Sequence, residues 1–268
     1  MKTILFPTDF SKNANHAMQF AIDLCVRTGA RLIILNSYEL PYSDTVMSTS
    51  LIEVMKKNSE QELEDIVKGL EASHPDLDLS TVSTLNNPIR AIKNQAMKFE
   101  ADLIVMGTKG ASGLQEVLIG SNTASVMSSN ICPVLAVPRE AELKDIKKAV
   151  YFMDQFKKED CDALEFVREF LTKFKSTLQV IHFQERHAED SPIPQNIKEI
   201  CSGVDCNIEQ IETDSIDESI SEYLDAKKDI DMIIMMKRKY TFLDRLFHRS
   251  RTTQAAYHAK VPFLSIHE

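Results

Sequence analysis

Four of the seven glycines in the 268-residue chain fall between Gly107 and Thr123, in the stretch GTKGASGLQEVLIGSNT. Gly107, Gly110 and Gly120, followed at once by Ser121, are spaced G-x2-G-x9-G-S. Glycine is used where a backbone takes positive φ, or where another group must come closer than a Cβ allows. Ser121, Asn122 and Thr123 open a predicted helix, so this segment offers backbone N–H groups, hydroxyls and the positive end of a helix dipole. That is the chemistry of an anion such as a phosphate. Asp9, in FPTDFS near the N-terminus, adds a carboxylate that can accept from a hydroxyl; Asp and Ser are also common helix caps, and Asp9 could simply cap the helix that follows. Gly113 fits neither spacing and reads as a turn residue, Lys109 as a solvated side chain, and Met106 as a core residue bordering these glycines.

Other chemistries are poorly represented. Neither G-x-x-x-x-G-K-[ST] nor G-x-G-x-x-G occurs, which excludes the P-loop and dinucleotide fingerprints. No Ser/His/Asp set, carboxylate pair or Cys/His dyad falls at matched strand ends, so no catalytic residue is assigned. His182, His187, Cys201 and Cys206, spaced H-x4-H and C-x4-C, could be drawn as a zinc set, but His182 falls at the end of a strand and the Cys pair straddles an apparent strand start, so no metal site is assigned. A net charge of −9 and pI near 5.4 argue against a general nucleic-acid binder. The N-terminus lacks a signal-peptide pattern and no apolar run approaches a membrane span. Five cysteines without close pairing fit a reducing compartment, and the expected location is cytoplasmic.

These candidate residues need strands and helices to position them. KTILFPTDFS begins as a short apolar strand; Ala14, Ala17, Met18, Ala21, Ile22 and Cys25 then recur at helical spacing up to Gly29, a C-cap. RLIILNS is a buried strand. The segment from about Ser48 to Ala72 carries Leu51, Met55, Leu63, Ile66, Val67 and Leu70 on one helical stripe. LSTVSTL is a third strand, and Asn87-Pro88 opens a helix running to Phe99. The strand DLIVMG, the glycine segment, a helix from Ser121 and the strand CPVLAVP complete the series. Strands alternating with helices predict right-handed crossovers and a parallel sheet covered on both faces.

The plan then restarts. IKKAVYFMDQF repeats MKTILFPTDFS at a shift of 145, and STLQVIHF repeats ARLIILNS. At a shift of 129, Asp102 to Val137 aligns without a gap on Asp231 to Ile266, and Ser121, Thr123, Pro133 and Leu135 meet identical residues at Ser250, Thr252, Pro262 and Leu264. The second copy is thus 16 residues shorter, with SPIPQNIKEIC a stunted version of the long second helix. The chain reads as a duplication, with domains 1–139 and 146–268 joined by a charged linker.

The G-x2-G-x9-G-S spacing, together with FPTDFS, NNPIRAI and NICPVLAVP, resembles the ATP-binding class of the universal stress protein (UspA-like) family. The resemblance covers the whole chain as two tandem domains, with the nucleotide motif in the first alone. It implies an α/β fold of two Rossmann-like domains, similar to adenine nucleotide alpha hydrolases, each a five-stranded parallel sheet in the order 3-2-1-4-5 with helices on both faces. It implies ATP as ligand, with or without Mg2+, held by Gly107, Gly110, Gly120, Ser121, Asn122 and Thr123. Asp9 would accept from a ribose hydroxyl, and Pro7, Thr8, Ser37 and Met106 would surround the adenine. Ser37 departs from the family's usual apolar residue there.

In the second copy Met236, Lys239 and Arg249 replace Gly107, Gly110 and Gly120, although Asp154, Ser250 and Thr252 remain. One nucleotide per chain is therefore expected. The replacing segment, KRKYTFLDRLFHRSR from Lys237 to Arg251, carries six Lys or Arg against one Asp. It is either a site for an anionic ligand or acidic partner, or a solvated face over a packing stripe of Leu243, Leu246 and Phe247. The expected function is a nucleotide-dependent stress or signalling adaptor read by a protein partner. A slow ATPase or nucleotide hydrolase, and a nucleotide-free interaction module, are the alternatives. In the family, last strands pair between domains, which here implies an intramolecular pseudo-dimer and leaves a homodimer open.

Overall fold

The computed structural model describes residues 1–40, 49–108, 119–153, 160–186, 197, 201–237 and 260–267. Ten strands and six helices are found among these residues. The first series is β1 (Thr3–Pro7), α1 (Lys12–Thr28), β2 (Arg31–Tyr38), α2 (Thr49–Ser73), β3 (Leu79–Leu85), α3 (Pro88–Lys98), β4 (Leu103–Gly107), α4 (Ser121–Met127) and β5 (Val134–Val137). The second is β6 (Lys148–Met153), α5 (Asp160–Phe174), β7 (Thr177–Glu185), β8 (Asp205–Thr213), α6 (Ile216–Ala226), β9 (Met232–Lys237) and β10 (Phe263–His267). Two compact units divide at Val134 and Leu135.

The expected strand order is present in both series: β3-β2-β1-β4-β5 in the first and β8-β7-β6-β9-β10 in the second. The β1–β2, β1–β4 and β2–β3 pairs are parallel, as are their counterparts β6–β7, β6–β9 and β7–β8. Burial explains why these strands read as unbroken apolar runs. Ile4, Leu5 and Phe6 are all 0% exposed although successive residues point to opposite faces, so both faces of β1 are covered.

The duplication is written in hydrogen bonds as well as sequence. Asp102 Oδ2 accepts from the Lys2 and Thr3 amides at 2.5 and 2.9 Å, and Asp231 Oδ2 accepts from the Lys147 and Lys148 amides at 3.0 Å each. The Ile104 amide donates to Pro133 O, as the Ile233 amide does to Pro262 O. Each aspartate fastens the start of a central strand to the start of its neighbour, which fixes their register. Ile4 accordingly pairs with Leu103, and Ala149 with Met232.

Local signals set the helix ends. Gly29 closes α1 in the left-handed region at φ 69°, its amide donating to Cys25 O at 2.8 Å. Asn87 caps α3, with Pro88 in its first turn. The α2 stripe departs from expectation at its N-terminal end. Leu63 and Leu70 are buried, but Leu51 is exposed. Ser59 is buried instead and shares a 2.7 Å hydrogen bond with Ser83 of β3. A polar pair of this kind is compatible with burial because each hydroxyl satisfies the other.

Candidate functional site

In the order β3-β2-β1-β4-β5 the chain leaves β1 for one side and reaches β4 on the other. A crevice therefore opens outside the C-terminal ends of β1 and β4. Asp9 follows β1 by two residues, and Gly107 ends β4. The fold brings together two motifs almost 100 residues apart.

The β1 end is tightly specified. The Thr8 amide continues the ladder to Leu35 O at 2.8 Å, and Asn36 Nδ2 donates to Thr8 O at 2.8 Å in a buried setting. Thr8 Oγ1 then accepts from the Phe10 amide and Asp9 Oδ1 from the Ser11 amide, both at 3.0 Å. Phe10 takes φ 61°, a left-handed conformation that is uncommon for a bulky side chain. Such outliers persist only where their surroundings over-determine them, and this one lies beside the candidate carboxylate. Ser11, not Asp9, is the N-cap of α1, accepting from the Ala14 amide at 3.2 Å. Asp9 is exposed and holds the turn before the cap. The capping reading of Asp9 is thereby corrected: the helix begins two residues later, where Ser11 reaches an open amide.

The β4 end is closed from the other side. The Gly120 amide donates to Thr108 O at 2.5 Å, and Thr123 Oγ1 donates to Gly107 O at 2.9 Å. These two bonds join the chain before residue 109 to the chain after residue 118. Gly120 is the N-cap of α4, at φ −62° and ψ 154°, with no side-chain cap. Neither it nor Gly107 is among the positive-φ residues. Ser121 and Asn122 are exposed at the helix start, whereas Thr123 is buried.

Expected site residues thus divide by placement. Pro7 and Ser37 are half-buried at the ends of β1 and β2, Thr8 and Met106 are buried, and Asp9, Ser121 and Asn122 are exposed. Thr123 and the Gly120 amide are engaged in tying the segment's ends together. Gly110, Lys109 and Gly113 lie outside the described residues, as do Asp154, His187, Ser250, Thr252 and the basic segment beyond Lys237. Sequence reasoning missed Asn36 and Thr108. The signal for Asn36 was available: a polar amide directly after the apolar run LIIL has to find a partner if buried. Elsewhere, the Cys201 thiol hydrogen-bonds Cys206, which together with nearby Arg168 holds it below the usual thiol range.

With this geometry in place, comparison with known proteins is decisive for kinship. The sequence model of the universal stress protein family matches residues 1–138. The chain belongs to this family. It is 30% identical over 136 residues to a universal stress protein of Thermus aquaticus, covering 51% of this chain and 98% of the relative. A universal stress protein of Methanocaldococcus jannaschii is 30% identical over 142 residues, covering 52% and 82%. The crystal structure of a universal stress protein from Archaeoglobus fulgidus aligns with a TM-score of 0.75 at 18% identity, covering 99% of this chain and 96% of that one. At that identity the likeness shows the shared fold. No helix among the described residues of this universal stress protein is long and apolar enough to cross a membrane.

Proposed function

We propose that this universal stress protein binds ATP in its first half and acts as a nucleotide-dependent stress or signalling adaptor. The observation that carries the reading is the backbone of Gly107 and Gly120. Both have negative φ or extended geometry that any residue could adopt, so what glycine contributes is the missing Cβ. Two such openings flank one crevice at the switch point of the sheet, next to the exposed start of a helix whose first amides have no partner within it. That combination suits a polyphosphate. The Gly120 amide is directed to Thr108 O, so the phosphate donors are the backbone and side chains of Ser121 and Asn122. Asp9, exposed at the end of β1, accepts from the ribose, and Pro7, Thr8, Ser37 and Met106 surround the base. Gly110 completes the spacing in sequence.

In this reading the chain is a tandem of family domains, 1–139 and 146–268, of which the second has lost its glycines. Calorimetric titration is expected to give one ATP per chain. Asp9→Ala should weaken binding about 10- to 100-fold, the scale of a lost hydrogen bond to a charged group. Ser11→Ala should do the reverse, costing about 1 kcal/mol of stability as a lost cap while leaving affinity intact. Two equivalent sites, or an Asp9→Ala chain that binds normally, would refute the proposal.

A further inference from the structure

The second half does more than lack glycines. Phe152 pairs with Ile181 in the β6–β7 ladder as Pro7 pairs with Leu35 in β1–β2, so Phe183 stands two residues on where Ser37 stands in the first half. Helix α6 matches α3 in the same way. The Lys227 amide donates to Tyr223 O as the Phe99 amide donates to Gln95 O, and the first turns correspond through Ser219 to Ser215 O and Ala91 to Asn87 O. Tyr223 therefore replaces Gln95.

These three substitutions form one cluster. The Phe152 and Phe183 rings lie 5.8 Å apart at 31°, and Tyr223 meets Phe152 edge-on at 5.7 Å and 90°. Phe152 is 4% and Phe183 1% exposed. Offset and edge-on arrangements in this distance range are the favoured geometries of aromatic pairs. In the first half the same places hold a half-buried proline, a half-buried serine, and Gln95, whose buried Oε1 has no hydrogen-bond partner among the described residues.

We propose that the second half is a self-filled site, in which the rings of Phe152, Phe183 and Tyr223 take the space that a purine base takes in the first half. The identity of the base rests on the ATP reading above; the filling of the crevice does not. A consequence follows for any attempt to revive the site. Restoring the glycines alone leaves the base without a pocket, so loop and rings must change together.

The full chain and its Phe183→Ala variant are to be melted with and without indole, a flat bicyclic probe. Indole in several-fold excess should raise the midpoint of the variant by roughly 2–4 °C and leave the wild type unmoved. Equal response of the two chains, or none from a folded variant, would overturn the proposal. Two further measurements hold if Phe183→Ala does not fold. Wild-type NMR should show cross-relaxation between the Phe152 ring and both the Phe183 and Tyr223 rings, and its absence would refute the cluster. A Met236→Gly/Lys239→Gly/Arg249→Gly chain should bind no more ATP per chain than wild type; a second equivalent of ATP would refute the plug. Failure of ATP to bind at all would remove the base assignment and leave the indole result to decide the filling.

Discussion

Gly120→Ala separates a glycine needed by a ligand from one needed by the fold. At φ −62° and ψ 154° alanine is unstrained, so the backbone has no reason of its own to demand glycine. Two small effects on stability oppose each other. Alanine is the poorer N-cap, a loss of about 0.5–1 kcal/mol, whereas removing a glycine from the unfolded ensemble returns about 0.4–1 kcal/mol. The nucleotide-free variant should therefore stay within about 0.5 kcal/mol of wild type, a shift of the melting midpoint of only about 1–2 °C. Binding should respond quite differently. A methyl group placed where the polyphosphate approaches should weaken ATP by at least about tenfold, or 1.4 kcal/mol. Urea denaturation without nucleotide and calorimetric titration with ATP read the two quantities separately. An alanine chain that binds ATP within twofold of wild type would show that the missing Cβ is not there for the ligand. A loss above about 2 kcal/mol without nucleotide would show that the glycine serves the closure with Thr108 instead.

Asp102→Ala leaves the Lys2 and Thr3 amides without their acceptor, and should cost about 1–3 kcal/mol in urea denaturation. Asp231→Ala should cost about as much; its 2.7 Å ion pair with half-exposed Lys144 adds little. A loss below about 0.5 kcal/mol from either would deny these aspartates their role in joining strands. Burial pushes the Cys25 thiol from its ordinary 9.0 up to about 12, and does the same to Cys132 with Asp102 contributing. In the unfolded chain these thiols ionise near pH 9 while the folded ones stay protonated. Their contribution to stability is thus fully present below about pH 9 and is lost as pH rises toward 12. Urea midpoints measured at pH 8 and pH 10 should fall, and should fall less in Cys25→Ala; an identical slope in that variant would contradict the assignment.

Particular residues show where sequence reasoning reached and where it stopped. Gly29, Asn87 and Pro88 marked helix ends correctly because capping depends on a residue and its next few neighbours. The unbroken apolar runs of β1, β2 and β4 announced strands covered on both faces. Leu51 belonged to a convincing stripe and yet is exposed, because a helical period cannot say where along a 25-residue helix the sheet stops supporting it. Asp9 was singled out for its chemistry, but whether it caps α1 depended on where the chain turns, and the left-handed Phe10 delays the helix to Ser11.

The sequence by itself determined the duplication, the family and the chemistry gathered at residues 9 and 107–123, because repeats and motifs are linear properties that survive without coordinates. The tertiary structure decided which of those groups are engaged by other parts of the chain. It turned the Thr123 hydroxyl onto Gly107 O and the Gly120 amide onto Thr108 O, and buried Asn36 against the carbonyl of Thr8. It also gathered Phe152, Phe183 and Tyr223 from three separate elements into one cluster. The physical reason is that a polar atom or an aromatic ring takes its partner from whatever the sheet and crossovers bring within a few ångströms, and that neighbour is set by strand order and register rather than by distance along the chain.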